Sequence, residues 1–450
     1  MTTLPLLPDA PAGAVLAYRN AQPVGRDEFL ADLLALAERL PDTGHVLNLC
    51  MDRYWFAVAF FAAIARGMTS LLPNSPAPEH IASVGASVSR LVCVGDQANS
   101  ALSHLPYLRL GHDAPDRASP SASLAIPRIA FDQRVACVYT SGSTGQPQPH
   151  YKSFGRLRQS VLAEADRLWA TTGGPCAVLG TVPFRHMYGL ESTVLLPILG
   201  AGQLSARTPF FPADVVSALA ELPARRLLVT TPFHLRKLLD ARLEIPPIAA
   251  LLSATAPLSR ELAARAEAQL GAPVMEIYGA TETGQLATRL TTRQPEWDAF
   301  DGITLRQQHD VTIASGGHLE GEQALNDTVE LISPSRFRLI DRNANMINVV
   351  GKRSSLGFLN HVITGLNGVR DAVFCLPRSD ADAEVTRLAA FVVAPGLSPA
   401  EILSALRPHL DPVFLPRPIV VVDSLPRDGN GKIPAAALQA LIAAHIPATD

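Results

Sequence analysis

YTSGSTGQPQPHYKSF, residues 139–154, decides how this chain is read. The run before it, Arg134-Val-Ala-Cys-Val, is β-rich and suits a buried strand. From Lys152 to Thr171, Leu157, Val161, Ala165 and Leu168 recur near helical spacing, so a helix is expected there. Between them stand Thr140, Ser141, Gly142, Ser143, Thr144 and Gly145. The two glycines let the backbone turn sharply and approach a ligand closely. The hydroxyls and backbone N–H groups of such a strand–loop–helix can cup an anion. No Gly-Lys-Ser/Thr follows, so this is not the P-loop of the NTPases. A polar surface loop is the other reading of these residue types.

Outward from this stretch, strands and helices alternate. Arg26–Leu40 has a wide apolar face through Phe29, Leu30, Leu33, Leu36 and Leu40, which predicts a helix. His45–Cys50 reads as a strand, Tyr54–Arg66 as a buried helix ending near Gly67, and Leu91–Gly95 as a strand. This order argues for an α/β sheet with helices on its faces. His112–Ser123, rich in Asp, Pro and Ser, reads as a surface linker. Four later segments carry chemistry-bearing residues. Ala177–Glu191 contains a strand that ends at Pro183, with Arg185 and His186 at its mouth, where α/β sheets bind ligands. Leu251-Leu-Ser-Ala-Thr-Ala-Pro is a small-residue turn after a strand, and Ala254 and Ala256 leave room for a flat group. Val274-Met-Glu-Ile-Tyr-Gly-Ala-Thr-Glu-Thr-Gly runs from an apolar strand into Tyr278, Gly279, Thr281 and Glu282. An aromatic there can cover a purine, a hydroxyl can donate to phosphate, and a carboxylate can hold Mg²⁺ through hard oxygen ligands. Near the end, Leu425-Pro-Arg-Asp-Gly-Asn-Gly-Lys-Ile-Pro places Lys432 on a glycine-rich loop.

Bulk composition sets the bounds. A chain of 450 residues, 48% hydrophobic and 18% charged, is globular and long enough for two or three domains. A formal charge of −3 offers no basic patch, so no nucleic-acid partner is expected. The five cysteines are scattered with no CxxC pair, which argues against a zinc site or a disulfide framework and fits a reducing cytoplasm. The first residues lack a basic stretch and a long apolar run, so no signal peptide is expected. Tyr54–Ala65 is too short to span a bilayer, and no transmembrane segment is expected.

YTSGSTGQP resembles the phosphate loop of the adenylate-forming superfamily, which includes acyl-CoA synthetases, aryl-CoA ligases and adenylation domains. YGATETG resembles that superfamily's YGxTE motif, and PFRHMYGL resembles its segment beside the acyl substrate. The resemblance implies a large N-terminal α/β domain with layered sheets over residues 1–340, a hinge at 341–344, and a small mobile α+β lid at 345–450. It implies ATP and Mg²⁺ as cofactors. It assigns the phosphates to residues 140–145, the adenine side to Ala254, Tyr278 and Gly279, and the α-phosphate region to Thr281. Glu282 is assigned to magnesium, the ribose hydroxyls to Asp327 and Arg342, the acyl side to His186, and the catalytic lysine to Lys432. Arg338 is a rival for the ribose role.

The chain departs from the superfamily pattern in places. Gln148 stands where lysine is usual, with Lys152 four residues later; Asn326 replaces a glycine, Asp341 a glycine and Ala344 the hinge aspartate. The QPQPHYKSF variant resembles compact AMP-dependent ligases of aryl-polyene and xanthomonadin pigment pathways. The activity implied is ATP-dependent adenylation of a carboxylic acid, aryl (such as a hydroxybenzoate) or fatty, and transfer to a thiol. The carrier-protein phosphopantetheine is preferred as acceptor, with free coenzyme A the alternative. A non-catalytic AMP-binding regulator is the reading of another class, suggested by the altered hinge.

Overall fold

The computed structural model describes residues 2–11, 13–73, 78–97, 105–110, 124–141, 147–255, 258–309, 311–342, 346–349, 352–377, 387–426, 433 and 435–446. The chain divides into two compact units. One comprises residues 1–74, 85–139 and 149–343; the other comprises 344–450 together with 75–84 and 140–148.

The first unit is built on two sheets. An eleven-stranded sheet runs, edge to edge, Asp327–Ser333, Arg336–Arg342, Trp297–Ala299, Gly284–Leu290, Val274–Ala280, Ala250–Ser253, Arg226–Thr230, Ala177–Gly180, Gln203–Ser205, Val15–Arg19 and Gln22–Gly25. Its central strands, from Val15–Arg19 to Val274–Ala280, pair in parallel. Their sequences, such as Arg226-Leu-Leu-Val-Thr and Ala250-Leu-Leu-Ser, are continuous apolar runs, as buried parallel strands require. A six-stranded sheet runs Pro147–Ser153, Arg134–Ser141, Thr69–Leu72, His45–Asn48, Val92–Gly95 and Tyr107–Arg109.

The helix Arg53–Ala65 is apolar all round and almost wholly buried, so it sits inside a core rather than on a face. Phe56, Phe60 and Phe61 share that core with Phe29 of the Arg26–Arg39 helix and with Phe184. At its first turn lies Arg53, completely buried. Its guanidinium donates to the Ser205 and Arg207 carbonyls at 3.0 and 2.7 Å and to Gly180 O at 2.8 Å. These carbonyls lie at the ends of two adjacent parallel strands. Burial lowers the Arg53 pKa to about 10, so the group stays charged at neutral pH.

One expectation is corrected here. The helix predicted from Lys152 begins at Phe154 and runs to Thr172, and Pro147–Ser153 is instead a strand at the edge of the six-stranded sheet. Pro147 and Pro149 cannot donate to a ladder and are tolerated at an edge. Lys152 therefore sits on a strand.

The second unit holds a hairpin, Met346–Val349 with Lys352–Ser355, and a three-stranded sheet of Asp371–Cys375, Ala389–Val393 and Ile419–Val421. Its core contains Ile347, Leu359, Phe374, Val392, Ile402 and Leu406. A capping box, Ser398 with Glu401, starts the helix Pro399–Leu406. Among the described residues, no helix is long and apolar enough to cross a membrane.

Candidate active site

Four neighbouring parallel strands end at Gly180, Thr230, Ser253 and Ala280, with Gly180 opposite Val229 and Thr230 opposite Ser253. His186, Ala254, Thr281 and Glu282 all follow these ends. The carboxyl edge of a parallel sheet is where such folds bind ligands, because loops there are free to diverge. The edge is tied together by polar contacts. Thr181 and Thr230 hydroxyls lie 2.9 Å apart, and His234 Nδ1 lies 3.3 Å from Thr181 Oγ1 and 3.2 Å from Thr231 Oγ1. Burial lowers the His234 pKa to about 4, so it is neutral. The Tyr188 hydroxyl lies 3.2 and 3.1 Å from the Thr230 and Leu252 carbonyls, fixing the segment that carries His186. His186 is half-buried, and its carbonyl accepts from Leu190 N at 2.8 Å. After Ser253, Thr255 has φ +78°, a left-handed conformation rare for a β-branched residue. Such strain collects at binding sites.

The Tyr278–Glu282 segment is shaped by a tight reversal. A Cβ on Gly279 would lie 2.2 Å from Gly284 O, so only glycine fits. Thr283 Oγ1 accepts from Ala280 N at 3.1 Å and closes the turn that presents Thr281 and Glu282. Tyr278 is buried against Trp297 and Phe337, and its hydroxyl donates to Asp327 Oδ2 at 2.8 Å. Asp327 stands opposite Arg342 in strand register. The structure thus brings Tyr278, Asp327 and the Arg342 backbone together, although they are far apart in sequence. Arg338, the rival, is exposed and pairs with Glu296 and Glu330. Thr140 and Ser141 end the strand Arg134–Ser141, while Gly142, Ser143, Thr144, Gly145, Ala256, Ala344 and Lys432 lie outside the described residues.

Beside the turn opens a cleft of about 400 Å³. Its lining includes His150, Lys152, Ser160, Glu191, Glu282 and His318. Lys152 Nζ donates to Glu282 O at 3.0 Å. Burial pulls the Lys152 pKa down, while Glu191, Glu282 and Glu320 oppose that shift. His150 Nε2 lies 4.0 Å from Glu282 Oε1, and burial lowers its pKa, so it is neutral at pH 7. Ser160 Oγ donates to Glu191 Oε1 at 2.9 Å. His318 Nε2 donates to Thr283 O at 3.1 Å, and burial holds its pKa at about 4.

Two glutamic acids here were missed from the sequence. Glu191 is the one charge in the apolar run Met187–Gly200, a usable signal. Glu164 lies on the apolar stripe of its helix with Val161 and Leu168, a weaker one. Both are buried, which pushes Glu191 up to about 7 and Glu164 up to about 8. The Ser192 and Gln285 side chains act to lower the Glu164 pKa, and burial outweighs them.

The folded protein therefore keeps protons that the unfolded chain releases near pH 4.5. This contribution to stability is complete below pH 4.5 and is lost as pH rises through about 7 and 8. Glu164→Gln is expected to flatten the fall in unfolding free energy between pH 5 and 8, by up to about 1.4 kcal/mol per pH unit relative to the parent. Urea titrations at pH 5, 6.5 and 8 check this. An equal slope in parent and variant would show that Glu164 ionises normally.

The fit to a magnesium ion is a fit to one carboxylate. Among the described residues no cluster of three His, Cys, Asp or Glu could hold a metal by itself. Glu282 is partly exposed at the turn, and Mg²⁺ typically takes one or two protein carboxylates and completes its shell with phosphate oxygens and water. The donor set suits a metal that arrives with a nucleotide.

The model of the family "AMP-binding enzyme" matches residues 26–308. A 4-coumarate–CoA ligase of Halorhodospira halophila is 30% identical over 318 residues, 65% of this chain and 73% of that protein. A probable 2-succinylbenzoate–CoA ligase of Mycobacterium tuberculosis is 30% identical over 338 residues, 68% of this chain and 85% of that one. Among solved structures, the o-succinylbenzoate CoA synthetase of Bacillus subtilis superposes with a TM-score of 0.80 over 95% of this chain and 96% of its own, at 18% identity, a likeness of fold. With its family model matched across most of the first unit and its motif residues gathered at one sheet edge, this chain belongs to the AMP-binding enzyme family.

Proposed function

We propose that the protein is an ATP-dependent acid–thiol ligase. The carboxylate of the acid attacks the α-phosphorus of ATP, a P–O bond forms, and pyrophosphate leaves with the electrons of the broken P–O bond. The thiol then attacks the acyl carbon, loses its proton, and releases AMP. The observation that carries this reading is that Thr281 and Glu282 follow the carboxyl end of the strand Val274–Ala280, whose Tyr278 hydroxyl donates to Asp327, in a chain whose residues 26–308 match the family.

In this reading Asp327, oriented by the Tyr278 hydroxyl, accepts from the ribose hydroxyls, and Arg342 assists. Thr281 donates toward the α-phosphate, the 140–145 loop holds the outer phosphates, and Ala254 flanks the adenine. His186 stands at the acyl side. Bound magnesium supplies charge neutralisation at the phosphates, and Glu282 is its protein ligand. Residues 345–450 act as a lid that turns on 341–344 and brings Lys432 to the reacting groups. The enzyme supplies no nucleophile for the first step; its work is to align two anions and offset their repulsion.

For the acceptor, the names of the relatives favour coenzyme A. The QPQPHYKSF variant favours a carrier-protein arm and a place among pigment-pathway ligases. The test measures pyrophosphate release with ATP, Mg²⁺ and a panel of aryl and fatty acids, alone, with coenzyme A and with a holo-carrier protein. Acid-dependent release is expected, and the thiol that speeds turnover names the acceptor. ATP or AMP binding without release from any acid would overturn the ligase reading in favour of a regulator. In the same assay Glu282→Ala is expected to raise the Mg²⁺ concentration for half-maximal rate by about tenfold. An unchanged magnesium titration would remove Glu282 from the metal.

A further inference from the structure

We infer that the cleft beside Glu282 receives the far end of the acid substrate, and that Lys152 reads an oxygen acceptor carried there, a hydroxyl or a second carboxylate. This rests on the ligase reading and names the substrate class for it.

The observations start with the ammonium group. Lys152 is half-buried, and the Glu282 carbonyl, at 3.0 Å, is its hydrogen-bond acceptor among the described residues. An ammonium has three donors, so two remain for other acceptors. Among the described residues no carboxylate comes within 4.0 Å of Nζ to form an ion pair. Glu191, Glu282 and Glu320 attract the ammonium from beyond 4.0 Å, but they leave its spare N–H donors without a direct acceptor among the described residues.

The other polar groups do not fill that role. The Arg156 guanidinium spends its Nη1 on the His318 and Leu319 carbonyls. His318 is spent on Thr283 O, and Glu191 accepts from Ser160. Glu320 is exposed. Lys152 thus has donors to spare in the cleft, and Ser160 and Glu191 line the cleft with it. A volume of about 400 Å³ suits an aromatic ring or a short chain. An acid with an oxygen at its far end meets these donors, whereas a bare acyl chain strips water from Lys152 and returns nothing. Sites built to hydrogen-bond a substrate group discriminate strongly against analogues that lack it.

The experiment uses the full chain with matched acids: benzoate against 4-hydroxybenzoate and terephthalate, and hexanoate against 6-hydroxyhexanoate and adipate. Acid binding is measured by calorimetry, and adenylation by pyrophosphate release with ATP and Mg²⁺. The expected result is a preference of about tenfold or more for an oxygen-bearing member of a pair, in both Kd and kcat/KM. The hydroxy and dicarboxylic arms tell which oxygen is read.

Lys152→Met is expected to collapse that ratio to within about threefold, and Lys152→Arg to keep part of it. Loss of the Glu282 carbonyl contact lowers the rate for every acid alike, so the ratio separates recognition from a structural effect. If Lys152→Met does not fold, Lys152→Gln replaces it. A parent that favours the bare acids, or a variant that keeps the parent's ratio, overturns the inference. Selective binding without pyrophosphate release sinks the ligase reading and leaves the inference standing. Release without selectivity does the reverse, and neither binding nor release ends both.

Discussion

Replacing Lys432 by alanine is expected to lower acid-dependent pyrophosphate release by about two to three orders of magnitude while ATP still binds. In the adenylation step negative charge gathers on the attacking carboxylate and on the phosphate oxygens at the same moment. A single ammonium that reaches both offsets their repulsion only when they come together, so its effect falls on the rate more than on ATP affinity. Removing one such donor typically costs about 3–4 kcal/mol of barrier. Lys432 stands between Gly429 and Gly431 on one side and Ile433-Pro434 on the other, a composition suited to a loop tip. Pyrophosphate release and calorimetric ATP binding, measured on the same preparation, check the split. Near-normal turnover would take Lys432 out of the reaction, and weakened ATP binding with unchanged kcat would make it a nucleotide contact instead.

The second large effect is on stability. Arg53→Met is expected to lower the unfolding free energy by about 3 kcal/mol or more and the urea midpoint by about 1 M. The Arg53 guanidinium satisfies three carbonyls, Gly180 O, Ser205 O and Arg207 O, from inside the core. Methionine keeps most of the volume, so the change reports on hydrogen bonds rather than on a cavity. Each orphaned buried carbonyl costs about 1–3 kcal/mol, and relief of the arginine's own desolvation returns only part of it. Because Gly180 leads into the segment carrying His186, kcat/KM for the acid should fall as well. A midpoint equal to that of the parent would mean that the carbonyls find other donors.

The sequence made much of the site legible because its signals are local. A glycine at 279 is demanded by a backbone approach two strands share, and that demand shows in the string itself. Apolar runs such as Arg226–Thr230 declare buried parallel strands, and the polar residues just after them mark the edge where ligands bind. Local signals also misled. The helical spacing after Lys152 hid the fact that two prolines hold Pro147–Ser153 as an edge strand, which moves Lys152 from a helix start to the wall of a cleft.

By itself, the sequence determined the α/β class, the order of the motifs and the candidate residues, because periodicity, turn chemistry and motif spacing act over a few neighbours. Only the tertiary structure decided what those residues touch. Tyr278 and Asp327, 49 residues apart, meet in a hydrogen bond; Lys152 reaches the Glu282 carbonyl across 130. Glu164 and Glu191 are ordinary carboxylates on paper and become weak acids because helices bury them together. Burial and long-range contact depend on how distant segments pack, and the free energy of a buried charge is set by that packing rather than by its neighbours in the chain.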